Sequence, residues 1–338
     1  MQGIGRRTFM QLGVATAATG LVACDGGGYS KVPDRRFPVG SFRGDATAES
    51  VASGLNLTGK TALVTGCNSG LGLETMRVLA ARGAHVIGTG RTLEKAELAC
   101  ASVAGETTPA VLELSDFQSA ADCAQFLASL DRPLDMVVAN AGFSGDTEFV
   151  LDGGIEQTFR VNYLGHFILL NRILPLVHAA DAGRVIHLSS AAAYLRAPAG
   201  GIDFDSLYTD KGLSRLQKYG QSKLANALFS LQLAKQFEGT SATSNSLHPG
   251  MVGTSIARSY PAWFRRAYDS LAPVVGKSVE EGAATQVYLA AHPEVAGVNG
   301  AYFEDCTATL VEGDSYLHDE ALADTLWHAS LDMTRGYL

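Results

Sequence analysis

From Lys60 onward, short apolar and β-branched runs alternate with longer amphipathic stretches. The runs "TALVT" (61–65), "HVIGT" (85–89), "AVLEL" (110–114), "DMVVAN" (135–140), "RVIHLS" (184–189), "TSNSLH" (243–248) and "AYF" (301–303) predict strands. Between them, stretches such as 70–82, 116–129, 155–178, 214–237 and 279–291 predict helices. Short strands separated by helices imply βαβ units and a parallel sheet covered on both faces. The expected fold is α/β, doubly wound, in a single domain over 56–338. Residues 29–55, rich in Ser, Gly, Asp and Pro, lack this pattern and predict a linker.

With 338 residues, 46% of them hydrophobic, the chain has ample material for a large core. The net charge of −8 argues against nucleic-acid binding, which needs a basic face. The first 28 residues differ from the rest. Arg6 and Arg7 precede an apolar run, Leu12–Ala23, which falls short of the roughly 20 residues that span a bilayer as a helix. It fits the core of a signal segment. "RRTFM" resembles a twin-arginine export signal, and "LVAC" resembles a lipobox in which Cys24 would carry lipid. Asp25 and Gly26–Gly28 would follow as a tether. This resemblance implies attachment at the periplasmic face of a membrane; the alternative is a membrane-tethered protein in the cytoplasm. None of the five cysteines forms a CxxC pair and no metal-ligand spacing is present, so Cys67, Cys100, Cys123 and Cys306 read as small buried residues.

"TGCNSGLG" (65–72) follows the first strand and opens the first long helix. Gly66 permits a sharp turn, and Gly70 and Gly72 clear side chains where backbone approaches a pyrophosphate and where helix packs on strand. The helix N-terminus adds N–H groups and a positive dipole end. At the end of the second strand, where an acid would hold the 2′-hydroxyl of NAD, "GTGR" places Gly90 and then Arg91. A guanidinium pairs bidentately with phosphate, so the choice leans to NADP(H) over NAD(H).

The TGxxxGxG spacing resembles the short-chain dehydrogenase/reductase family in its compact, single-domain branch. That resemblance implies a Rossmann-type fold, with Gly66, Asn68, Ser69, Gly70, Leu71 and Gly72 at the pyrophosphate. "LELSD" (112–116) is similar to the family's adenine-binding stretch, which assigns Glu113 and Leu114 there; Glu113 stands where Asp is usual. "ANAG" (139–142) is similar to its NNAG turn, which implies cofactor contacts from Asn140, Ala141 and Gly142. "HPGMVGT" (248–254) is similar to its PG motif, which implies contacts from Pro249, Gly250, Val252 and, at the nicotinamide carboxamide, Thr254.

In "YGQSK", Tyr219 and Lys223 lie one helical turn apart on one face. A phenol with an ordinary pKa near 10 is a poor base at pH 7, and an ammonium beside it favours the phenolate. In the reductive direction the same phenol donates a proton to the developing alkoxide. Both residues would also touch the cofactor. The resemblance adds Ser190, the second hydroxyl of "VIHLSS", as the group binding the substrate oxygen. It also adds Asn162 of "VNYLGHF", whose main-chain carbonyl would hold a water linking Lys223 to solvent.

The stretches 191–218 and 255–276 would build the substrate pocket; the second carries Tyr260, Trp263, Phe264 and Tyr268, either a lid over a bulky apolar substrate or a helix packed on the core. "VNYLGHFILLN", the long stretch before Tyr219 and the C-terminal "YFEDC" and "LWHAS" resemble the retinol dehydrogenase group and its relative, protochlorophyllide reductase. The latter usually has a cysteine where this chain has Ala225. The expected function is hydride transfer between NADP(H) and a retinal-like aldehyde or ketone. The alternatives are a double-bond reductase or a nucleotide-binding lipoprotein without turnover. "LANALFSLQLAKQF" (224–237) is apolar nearly all round, which means deep burial or a subunit interface, as in a homodimer.

Overall fold

The computed structural model describes residues 28–252, 276–313 and 315–338. Arg6, Arg7, Cys24, Thr254 and the aromatic stretch 255–275 lie outside the described residues. No helix among the described residues is long and apolar enough to cross a membrane.

A nine-stranded sheet runs through the molecule. Its parallel part comprises β2 (Thr61–Val64), β3 (His85–Gly90), β4 (Thr107–Val111), β5 (Met136–Ala139), β8 (Arg184–Leu188), β9 (Thr243–His248) and β10 (Tyr302–Glu304). These lie in the order β4-β3-β2-β5-β8-β9-β10. β11 (Thr307–Glu312) returns antiparallel to β10, and β1 (Ser30–Pro33) adds antiparallel to β11. The central strands β2, β3 and β5 are buried along their whole length, as apolar runs covered by helices on both faces must be. Two separate clusters of buried side chains form the core, one on each face of the sheet.

The helices of the described residues include α1 (Ala48–Val51), α2 (Gly70–Ala81), α3 (Leu93–Ala101), α4 (Phe117–Ser129), α5 (Gly165–His178), α6 (Ala192–Leu195), α7 (Arg215–Gln236), α8 (Ala284–Ala291) and α9 (Glu320–Thr334). A two-residue hairpin, β6 (Leu151–Asp152) with β7 (Ile155–Glu156), precedes α5. From β2 the chain winds outward through β3 to β4, then returns to place β5 on the other side of β2. The strand order therefore reverses between β2 and β5. A crevice opens at the carboxyl ends of strands at such a switch point, and the loops after β2 and β5 carry the TGCNSGLG and ANAG motifs.

Three departures from the sequence reading have physical causes. Residues 29–55 are not a linker: Ser30–Pro33 pairs with β11, Lys31 Nζ meets Glu304 at 2.6 Å, the Phe42 and Tyr288 rings lie 5.7 Å apart, and Val51 is buried. Scattered apolar residues dock this otherwise polar segment onto the domain. The strand read at 110–114 lies at 107–111 instead, because Pro109 is tolerated on the outermost strand. The helix read across 155–178 begins as a strand and a short turn, passes through a five-residue π-helix at Arg160–Leu164, and becomes α5 only at Gly165. Of the two readings of the apolar stretch 224–237, deep burial describes much of α7: β8 and β9 lie beneath it and α9 packs along it.

Candidate active site

The loop after β2 is shaped for close approach of backbone. Gly66 and Gly70 have φ of +73° and +61°, the left-handed region glycine adopts without strain. A Cβ at Gly72 would collide with the Gly66 carbonyl and come within 2.6 Å of Asn140 Nδ2, so helix, loop and β5 turn meet here with no room for a side chain. Ser69, the residue before α2, makes no side-chain capping bond, whereas Thr92, Asp116, Ser214 and Asp319 each cap their helices. The first turn of α2 also lacks acidic residues. Asn68 is exposed, and Leu71 and Gly72 are buried. Behind the loop, Asn140 Nδ2 donates to Thr65 O at 2.8 Å, while its buried Oδ1 has no partner in the protein. A glycine cradle, an uncapped helix start and an orphaned buried acceptor fit a dinucleotide.

The other expected cofactor positions are distributed as follows. Arg91 is exposed at the end of β3, directly after Gly90. Glu113 turns back on its own loop, its Oε1 accepting from the amide and hydroxyl of Ser115 at 3.1 and 2.9 Å. Leu114 is buried against Gly165, which has no side chain to obstruct it. Ala141 and Gly142 form the rim beyond β5. After β9, Pro249 leads to Gly250 at φ +88°. Val252 bridges to Lys277, and Val252 and Leu71 both lie against Gly282. The PG loop and the glycine loop thus share one support.

The acid–base residues sit on α7, whose start is fixed by a reciprocal cap between Ser214 and Gln217. Tyr219 is partly exposed, and the Lys223 ammonium lies 5.8 Å from the centre of its ring. Gly220 lets the stretch after β8 press onto the helix, since a Cβ there would strike the Ala192 carbonyl and Ala197 amide. Lys223 Nζ donates to Leu188 O at 2.8 Å, two residues before Ser190. The two serines divide as alternation along a strand requires. The Ser189 hydroxyl is buried and donates to Lys223 O at 2.7 Å, while Ser190 is partly exposed and accepts from the Ala192 amide at 3.2 Å. Asn162 is fully buried: Nδ2 donates to Phe143 O and to Ser222 Oγ, and Oδ1 accepts from Phe143 N, all at 2.9 Å. Gly142 lies between Asn162 Oδ1 and Lys223 Nζ. Burial pushes the Lys223 ammonium down to about 8, which leaves it mostly charged at pH 7.

The chain matches the family model described as short chain dehydrogenase over residues 60–202. It is 34% identical to retinol dehydrogenase 14 of Homo sapiens over 339 residues, 94% of this chain and 98% of that one. It belongs to the short-chain dehydrogenase family. Within it, the chain stands close to the retinol dehydrogenase-like proteins, and it is an oxidoreductase of the CH–OH/C=O class with a Rossmann-type fold that implies a nicotinamide cofactor. Among solved structures, an uncharacterised protein from Mycobacterium Paratuberculosis superposes with a TM-score of 0.66 at 28% identity, over 84% of this chain and 97% of that one. A Beutenbergia cavernae protein named as a putative NAD(P)-dependent gluconate 5-dehydrogenase, with NADP bound at low occupancy, gives 0.57 at 26% identity, over 73% and 95%.

Two residues at the centre of this dehydrogenase escape the motif reading. Thr65 and His166 lie 101 positions apart and meet at 3.0 Å between Oγ1 and Nε2. The spacing of His166, four residues after Asn162, was the available signal. Among the described residues no group of His, Cys, Asp or Glu is arranged to hold a metal. Cys67, Cys100, Cys123 and Cys306 are buried free thiols; burial pushes Cys123 up to about 12 and Cys306 up to about 11, which leaves both unreactive as nucleophiles at neutral pH.

Proposed function

We propose that the chain transfers hydride between NADP(H) and a hydrophobic alcohol or carbonyl compound, with Tyr219 as the acid and base. The observation that carries this reading is the placement of Lys223: its ammonium faces the Tyr219 ring at 5.8 Å and is held by the carbonyl of Leu188, on the strand that delivers Ser190. A bound nicotinamide dinucleotide supplies or accepts the hydride. Gly66, Asn68, Ser69, Gly70, Leu71 and Gly72 would hold its pyrophosphate, and the Asn140–Gly142 turn and Pro249–Val252 would flank it. The exposed Arg91, with no acid at Gly90, favours a 2′-phosphate on the ribose.

On the protein side, Lys223 places a positive charge beside a phenol, which favours its ionised form and eases proton movement at the Tyr219 oxygen. In reduction the Tyr219 hydroxyl gives its proton to the oxygen that becomes an alcohol; in oxidation it takes that proton back. Ser190 holds the same oxygen. Lys223 and Asn162 are locked by bonds to main-chain groups, so the set is preorganised. A relative named retinol dehydrogenase, matched along nearly its whole length, supports a long apolar aldehyde of the retinal type.

The test is to follow NADPH and NADH oxidation by the full-length protein with retinal and a panel of other hydrophobic aldehydes and ketones, beside Tyr219→Phe. The expected result is faster reduction with NADPH, falling about 10²–10⁴-fold in the mutant. Equal turnover by Tyr219→Phe would remove the assigned role of the phenol, and a preference for NADH would remove that of Arg91.

A further inference from the structure

His166 sits just beyond the π-helical turn that carries Asn162, and it is 2% exposed. A π-helix spaces its backbone bonds five residues apart, and here the Gly165 amide donates to Arg160 O. At the next turn the carbonyl of Asn162 receives the imidazole ring: His166 Nδ1 lies 3.2 Å from Asn162 O. On the other side of the ring, Nε2 lies 3.0 Å from Thr65 Oγ1.

The direction of every proton in this chain follows from counting donors. Thr65 Oγ1 accepts from the backbone amides of Asn140 and Ala141, both at 2.9 Å. A hydroxyl has two acceptor positions and one hydrogen. With both positions filled, the Thr65 hydrogen goes to His166 Nε2. That nitrogen is therefore the acceptor, and Nδ1 carries the proton and donates to Asn162 O. The sequence of donors runs from the ANAG amides through Thr65 and the imidazole to the Asn162 carbonyl, joining the cofactor-side turn after β5 to the Asn–Lys centre.

Building on the hydride-transfer reading above, we propose that His166 is a positioning residue of the catalytic centre, a neutral imidazole fixed as its Nδ1–H tautomer that occupies one of the two acceptor positions of the Asn162 carbonyl and aims the other. The remaining position is the one available to a water exchanging protons with Lys223. The Asn162 side chain cannot set that direction, since its amide is spent on Phe143 and Ser222. A charged imidazole would destroy the arrangement, because protonated Nε2 would face the Thr65 hydrogen. Burial, with the nearby Lys223 charge adding to it, pushes His166 down to about 4. His187 is buried too; burial first, and then the neighbouring His166, push it down to about 3.

The tautomer is read directly in the full-length protein, without cofactor or substrate, from the ¹⁵N shifts of the His166 ring at pH 7. A bare Nε2 with a proton on Nδ1 is expected; a protonated Nε2 overturns the proposal. The kinetic arm compares His166→Leu, which has no donor, with His166→Asn, whose amide can donate near the Nδ1 position. With NADPH and retinal, His166→Leu is expected to lower kcat 10–100-fold and to move the alkaline limb of its pH profile. NADPH affinity should stay within threefold, and His166→Asn should recover most of the rate. Unchanged kcat and pH profile in His166→Leu would overturn the proposal, as would equal losses of rate and nucleotide affinity in both variants. Failure of Tyr219→Phe to affect turnover would instead strike the acid–base reading and leave the ring tautomer as found.

Discussion

The two halves of the active-site crevice are built from different materials. The cofactor half, around Gly66–Gly72, is mostly backbone: glycines and a helix start with no side-chain cap. The catalytic half, around Asn162, His166 and Lys223, is packed from polar side chains with almost no exposure, each bonded to main chain or to another buried group. Backbone presents fixed donors to a phosphate and carries no titratable group, so it is sensitive to volume and indifferent to pH. Buried side chains hold protons at defined atoms, so they respond strongly to pH. The Thr65–His166 bond is where the two constructions touch.

The largest expected effect falls mainly on the catalytic half, with His248 before the PG loop, pushed by burial to about 4, adding to it. His166 and His187 are pushed by burial to about 4 and about 3, below the ordinary histidine value near 6.5. Below pH 6.5 the unfolded chain takes up protons at both positions while the folded chain does not. Their contribution is therefore complete above about pH 6.5 and is lost as pH falls, toward 4 for His166 and toward 3 for His187. At pH 5 the loss is about 2 kcal/mol for each, at 1.36 kcal/mol per unit. Thermal unfolding followed from pH 7 to pH 5 should show a steep fall, and His187→Phe should flatten it. A flat profile in the wild type would show that these rings are not held neutral.

A single methyl should break the cofactor half. In Gly72→Ala the new Cβ meets the Gly66 carbonyl, which is backbone and cannot swing away. Overpacking of this kind costs about 1–3 kcal/mol. NADPH affinity, measured by fluorescence titration, is expected to drop at least tenfold, with the acid dependence of stability unchanged. Wild-type affinity in Gly72→Ala would mean that the loop does not need close approach at this position.

How much of this was legible in the sequence follows the same division. The cofactor half could be read because its residues are close in sequence: the glycines of 65–72 sit in one loop, and their spacing carries the geometry. Tyr219 and Lys223 are one turn apart and were equally visible. Strand β9 was read at its observed bounds although Thr243, Ser244, Asn245 and Ser246 are polar, because these side chains are satisfied inside the sheet, Asn245 by Val298 O and Ser244 by Ser230. The π-turn at Asn162 left no local signature, since bonds to Phe143, Ser222 and Thr65 accompany it and those partners come from other parts of the chain. The docking of 29–55 was hidden for a related reason. Its composition is that of a loop, and contacts with distant parts of the chain, among them its pairing with β11, the Lys31–Glu304 pair, the ring contacts of Tyr29 and Phe42 and the buried Val51, make it part of the domain.

The smallest expected effect is the sharpest test of the comparison, because it asks two serines at two helix starts to behave differently. Ser214 Oγ accepts from the Gln217 amide, and Gln217 Oε1 accepts from the Ser214 amide at 3.0 Å, so α7 is capped by the protein itself. Ser69 makes no such bond at the start of α2. Ser214→Ala should cost about 1 kcal/mol, a drop of about 2–4 °C in Tm, and leave NADPH affinity unchanged. Ser69→Ala should leave the Tm of the nucleotide-free protein within about 1 °C, since there is no cap to lose. It should weaken NADPH binding a few-fold instead, through the hydroxyl at the phosphate end. If Ser69→Ala destabilised the nucleotide-free protein as much as Ser214→Ala, the start of α2 would be satisfied within the chain. Its amides would then not be reserved for a phosphate.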